Sequence, residues 1–321
     1  IDGNEYLKTP AGHEASNGLT GFWQCACCSE PDMTRLMAFM PAAAAWYKNI
    51  LWSVAMYQKR QEKVLSALQE IGCDGLVLNA GPSLTYFSGF HFHLMERPVV
   101  FLLVSGEKPL IVLPALEEQN LDGADFDIKA ISYPDNPAHW QKSFDSACRH
   151  IGLREMKIGL EHRQLRLLEY GYLETASPTT SYINADEAIA RCRALKDPDE
   201  VSRMEKAVNI AQDSLRAILP RIGAGVSERQ VAAELVIELY QQGSEQPLPF
   251  TPIVSTGPNG ANPHAKPSDR LLQRGDLLII DWGARWQGYV SDLTRTFAIG
   301  PVNQEANRIY DLVLRANEAG R

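Results

Sequence analysis

No apolar stretch in this chain runs unbroken for the roughly 20 residues that a membrane-spanning helix needs. The nearest approach, LMAFMPAAAAWYKNILWSVAM from Leu36 to Met56, is interrupted by Pro41 and Lys48 and lies too far in for a secretory signal. No membrane or export role is expected. Basic stripes are missing too: 31 Lys and Arg stand against 39 Asp and Glu, a net charge of −8. Without a Lys/Arg patch to neutralise phosphates, nucleic acid is excluded as the main partner. Cysteine is scarce and irregular, six in all, with Cys25, Cys27 and Cys28 crowded together and Cys73, Cys148 and Cys192 scattered. That is no disulfide framework, and the QCACCSE cluster has only His13 nearby in place of the second ligand pair a zinc site needs. A reducing cytoplasm is the expected compartment. Nor does any G-x-G-x-x-G follow the first strand, so a dinucleotide role has little support.

What is present is ordinary globular material, 321 residues with 45% hydrophobic and 22% charged, long enough for two domains. The chain begins with Ile1 and its periodic pattern sets in only at Met56, so residues 1–55 are read as an atypical leader, disordered or mistranslated. YQKRQEKVLSALQEIG has apolar residues near helical spacing and stops at Gly72, and GLVLN then reads as a short buried strand. Strands are predicted at 99–104, 109–114, 125–132 and 157–161, with helices at 138–151 and 163–170 between them. Residues 56–190 therefore read as an α/β domain.

The rhythm changes near Arg191. Asp197, Pro198 and Glu200 make a capping-box start for a long helix, and Ser227 with Gln230 makes a second, running to Gly243. The strands FTPIVSTG, DLLIID and GYVSDLTRTFAIG follow, so residues 191–321 read as an α+β domain. Within it, two acids fall in apolar or uncharged β-like runs. Alternation puts Asp292, Thr294 and Thr296 on one side of their strand and Leu293, Arg295 and Phe297 on the other. A hairpin folded about Arg285 brings Asp281 within diagonal reach of Asp292 on one face, where two buried like charges demand a countercharge. Divalent cations meet that demand, since carboxylates on neighbouring strands hold one or two metals suited to activating water. The alternative is a turn cap plus a pairing with Arg270, Arg274 or Arg285.

NPHAKPSDRLLQRGDLLIIDWGARWQGYVSDLTRTFAIG, residues 262–300, closely resembles the pita-bread metallopeptidase family, which includes Xaa-Pro dipeptidase (prolidase), Xaa-Pro aminopeptidase, methionine aminopeptidase and creatinase. The likeness rests on N-P-H-A, a G-D pair before an apolar strand, D-x-G, and G-Y-x-x-D-x-T-R-T-F. Upstream, GPSLTYFSGFHFHLMERPVVFLLV and RALKDPDEVSRMEKAV resemble the amino-terminal domain and first catalytic-domain helix of the Xaa-Pro and creatinase branch.

The resemblance implies a creatinase/prolidase amino-terminal domain at 56–190 and a partial pita-bread domain at 191–321. It implies metal ligation by Asp281 and Asp292, with His264 beside the substrate as a catalytic and substrate-binding group. It also implies two divalent ions (Mn, Co, Fe or Zn, with Mn favoured), a proline-containing peptide substrate, and a cytoplasmic homodimer. The family's remaining ligands, a His and two Glu, lie well downstream of the second Asp and are absent here, so a fragment with an incomplete site, inactive alone, is expected. Two rivals stand beside the Xaa-Pro peptidase: a creatinase-like C–N hydrolase and a non-catalytic binding protein. The alternate histidines of HFH (91–93) and the nearby Arg97 are read as local hydrogen-bonding groups, with a substrate contact as the alternative.

Overall fold

A computed structural model of the chain describes residues 56–320 except Gly123 and Asp125. The leader at 1–55 and its cysteine cluster lie outside these residues. Helix α1 (56–69) ends in a turn at Gly72, whose φ of 65° suits glycine. Strands β1 (Gly75–Asn79), β2 (Val100–Val104) and β3 (Leu110–Pro114) are buried at every position, which is why they read as unbroken apolar runs rather than as alternation. With β4 (Lys129–Tyr133), β5 (Lys157–Leu160) and β6 (Ser181–Asn184) they form one sheet in the order β4-β3-β2-β1-β5-β6. It is mixed: β1 runs parallel to β5 and antiparallel to β2. Helices α2 (Pro82–Ser88), α3 (Trp140–Ile151), α4 (Leu167–Ala176) and α5 (Asp186–Ala194) complete this α/β layer. One apolar cluster gathers Leu68, Leu78, Phe87 and Phe101 on one face, and another gathers Val77, Val100, Phe144 and Leu173 on the other.

Some boundaries differ from expectation. β4 begins at Lys129 rather than at 125, and the helix expected at 163–170 lies at Leu167–Ala176. That helix opens on Leu167, which is 86% exposed. Its sequence LLEYGYLETA carries no clear apolar stripe for periodicity to find.

The capping box at Asp197 forms as predicted: the Glu200 N–H donates to Asp197 Oδ1 at 2.9 Å and the Asp197 N–H to Glu200 Oε2 at 2.8 Å. It launches α6 (Pro198–Ile218), and Ser227 with Gln230 repeats the device at α7 (Glu228–Gln241). Next come β7 (Ile253–Thr256), β8 (Leu277–Trp282), the short ribbon β9 (Arg285–Trp286) and β10 (Tyr289–Val290), then β11 (Leu293–Ala298). β7, β8 and β11 make an antiparallel sheet with β8 in the centre. Ile210, Ala211 and Leu215 of α6 and Leu235 of α7 cluster with Val254, Leu278, Ile280 and Trp282, so the two helices cover one face of it. In α8 (Gln304–Ala319), Ile309, Tyr310, Leu312, Val313 and Leu314 are exposed. No helix among the described residues is long and apolar enough to cross a membrane.

Candidate functional site

β8 alternates half-buried and buried residues from Leu277 to Trp282. Leu278, Ile280 and Trp282 point into the helix-covered core, so Leu277, Ile279 and Asp281 take the opposite face. The Trp282 indole N–H donates to the Ala211 carbonyl at 2.8 Å and fixes which way the strand faces. The ladder places Thr294 and Ile253 on either side of Asp281. The Thr294 hydroxyl donates to Asp281 Oδ1 at 2.9 Å, while Asp281 Oδ2 accepts no hydrogen bond among the described residues.

Trp282 lies opposite Leu293, Arg285 opposite Val290 and Trp286 opposite Tyr289. By that register Asp292 falls opposite Gly283, one diagonal step from Asp281. The hairpin folds about Gln287–Gly288 rather than about Arg285, which is paired into β9. Gln287 and Gly288 have φ of 47° and 79°, the positive pair that a type I′ turn requires. Glu245 braces this tip, accepting from the N–H of Gln287 at 2.8 Å and of Gly288 at 3.2 Å.

The expectation that both acids are buried is corrected. Asp281 is half-buried and Asp292 exposed, because among the described residues their face of the sheet carries no helix layer. The loop after β7, with a tight turn at Gly257–Ala261, borders a cleft of about 330 Å³ against Ile253, Ile279, Asp281 and Thr294. Asn262 and Pro263 belong to the cleft wall, and the next residue is His264, exposed, its N–H donating to Asn262 Oδ1 at 3.0 Å.

The arginines that sequence offers as countercharges are not used here. Arg270 pairs with Asp276 at 2.7 Å, Arg285 Nε donates to the Pro247 carbonyl at 2.8 Å, and Arg295 is exposed and donates to the Thr294 carbonyl. No ion pair among the described residues joins Arg274 to either acid. Two hard carboxylates on one open face are a donor set for a divalent cation, with Thr294 holding one of them in place as metal-binding carboxylates usually are held. They do not complete a coordination shell, and no group of three or more His, Cys, Asp and Glu suited to a metal stands together among the described residues.

His91 and His93 have ring centroids 5.7 Å apart, and both are exposed. Partial burial, then His93 and Arg285, depress the pKa of His91. Arg97 is engaged by Asp135 at 2.6 Å. Sequence reasoning missed Glu228 and Ser291. Glu228 looks like an ordinary first-turn acid. Ser291 joins the two halves of the hairpin: its Oγ accepts from the Ala284 N–H at 3.0 Å and donates to the Ala207 carbonyl at 3.1 Å.

Residues 60–195 match the Creatinase/Prolidase N-terminal domain, and residues 202–321 match Metallopeptidase family M24. The Xaa-Pro dipeptidase of Pyrococcus horikoshii is 28% identical over 266 residues, covering 81% of this chain and 70% of that protein. The Xaa-Pro dipeptidase of Lactobacillus helveticus is 27% identical over 259 residues, covering 80% and 70%. A crystal structure of a prolidase from Thermococcus sibiricus superposes with a TM-score of 0.75 at 28% identity, covering 82% of this chain and 71% of that one. The fold and these matches define a metallopeptidase with a creatinase-like amino-terminal domain ahead of a pita-bread domain. Residues 202–321 are the part of the chain that is similar to metallopeptidase family M24, as the motifs there lead one to expect. Metallopeptidases of this family use divalent metal ions and act on peptides.

Proposed function

We propose that this protein is an Xaa-Pro peptidase, hydrolysing peptide bonds next to proline with divalent cations held in part by Asp281 and Asp292. The observation that carries the reading is the open, arginine-free face on which the two acids stand diagonally, bordered by the loop that leads into His264. A bound divalent cation supplies Lewis-acid polarisation of the scissile carbonyl and activation of water. Asp281 offers Oδ2 while Thr294 restrains Oδ1. His264 supplies a hydrogen bond or proton to the reacting centre. Ile253 and Ile279 give the cleft apolar walls suited to a small apolar side chain or a proline ring.

Manganese is the favoured metal, since hard oxygen donors suit it. A cytoplasmic setting is supported by Cys73, Cys148 and Cys192, all buried free thiols. A homodimer rests on the motif resemblance. The test is an assay of the full-length gene product against Xaa-Pro dipeptides, longer Xaa-Pro peptides and creatine, with and without Mn²⁺. Mn²⁺-dependent cleavage of Xaa-Pro bonds is expected, and loss of that activity in His264→Ala. Hydrolysis of creatine alone overturns the reading in favour of a C–N hydrolase; no hydrolysis at all overturns it in favour of a binding protein.

A further inference from the structure

The first residue of α7 is a fully buried carboxylate, Glu228, 0% exposed. Burying such a charge is costly unless something answers it. No cation does so: Arg229 turns to Asp269 at 2.9 Å and Arg270 to Asp276 at 2.7 Å, and no ion pair among the described residues includes Glu228. Hydrogen bonds take that part. Oε1 accepts from the Thr256 N–H at 2.8 Å, and both oxygens accept from Asn259 Nδ2 at 3.0 Å. Oε2 accepts from the Ser268 N–H at 3.0 Å and the Ser268 hydroxyl at 2.6 Å. Burial pushes the Glu228 pKa up, but the Ser268, Asn259 and Thr256 donors outweigh it and hold the carboxyl below its ordinary value.

All of these donors belong to residues 256–268, the segment that carries His264. They grip it at its start, at its tight turn and at its exit, and between the last two grips lie Asn262 and Pro263 of the cleft wall. The base of the same loop is tied separately, by Asp276, which accepts from the Thr256 hydroxyl at 3.1 Å and from Arg270. Release of Glu228 therefore frees the middle of the loop while its base stays anchored. Charge matters as well as shape: a glutamine here turns an amide NH₂ toward the backbone N–H of Thr256 or of Ser268, where two donors meet with no acceptor between them.

We propose that Glu228 is a positioning residue, its buried carboxylate fixing the loop 256–268 so that His264 and the cleft wall hold one place beside Asp281. The role deepens the hydrolase reading and rests on it for its catalytic meaning. The comparison is among the wild-type chain, Glu228→Gln and Ser227→Ala, the last weakening the same helix by removing its cap while leaving the loop's acceptor intact. Hydrogen–deuterium exchange over 256–268 and the NMR shift and titration of the His264 imidazole are the readouts. Glu228→Gln is expected to speed exchange across the loop by roughly tenfold or more. It is also expected to move the His264 signals, while Ser227→Ala leaves them in place.

Should Glu228→Gln fail to fold, Asn259→Ala and Ser268→Ala remove donors from the loop side and are expected to move the same signals. Equal losses of thermal stability in Glu228→Gln and Ser227→Ala with His264 unmoved in both overturn the proposal, as does an unmoved His264 in both loop-side variants. If His264 moves yet His264→Ala leaves hydrolysis by the full-length product unchanged, the positioning of the loop stands and the role given to His264 fails.

Discussion

At Gly283 an added Cβ would stand 2.0 Å from the Ser291 carbonyl oxygen. The D-x-G triplet that follows from Asp281 is thus a packing requirement, letting the two strands approach where the ladder is interrupted. Gly283→Ala is expected to force them apart and to lower the unfolding free energy by about 1–3 kcal/mol, measured by urea denaturation. Asp281 and Asp292 were legible because alternation assigns faces without knowledge of the tertiary fold. Their burial was misjudged because exposure depends on what covers a face, which spacing does not encode. Glu228 was illegible for a related reason: its partners Thr256, Asn259 and Ser268 lie 28 to 40 residues away.

Among the elements, caps and fully buried strands were the readable features. Both predicted capping boxes form, and β1, β2 and β3 stand close to where apolar runs place them. β6 escaped because SYIN is short and only half-covered, and α2 because its seven residues open on Pro82 directly after Gly81. Asp197→Ala removes the side-chain acceptor of the Glu200 N–H and should destabilise α6 by about 1 kcal/mol, read from the denaturation midpoint. The hairpin tip depends on positive φ at Gly288. Gly288→Val, which disfavours that conformation, is expected to loosen β9 and β10, seen as faster amide exchange there with the α/β sheet unchanged.

On the scale of the whole molecule, Arg60 of α1 links the first layer to the second. It lies 3.5 Å from Glu200 and donates to the Tyr289 hydroxyl at 3.2 Å, while Tyr289 donates to Glu200 at 2.8 Å. Burial, then the hydrogen bond to Glu200, pushes Tyr289 up to about 12. Arg60→Ala leaves Glu200 buried without its cation and is expected to cost about 3–5 kcal/mol of stability in urea.

Acid should weaken the fold through Glu228 and Asp276, both depressed below their ordinary values of 4.5 and 3.8. In each case burial acts upward and is outweighed, for Glu228 by Ser268, Asn259 and Thr256, and for Asp276 by Arg270, Gln273 and Thr256. A depressed carboxylate stabilises the native state above its unfolded pKa, and that stability is lost as pH falls through the native one. The melting temperature should therefore drop as pH falls below about 4.5, and less steeply in Glu228→Gln.

The most direct test of the proposed cation-binding face is titration of the protein with Mn²⁺, followed by electron paramagnetic resonance, alongside Asp281→Asn, Asp292→Asn and the exposed control Asp213→Asn. Binding weakened at least about tenfold in each of the first two, with folding and the control unchanged, is the predicted result. Mn²⁺ binding that survives both substitutions at full strength contradicts it.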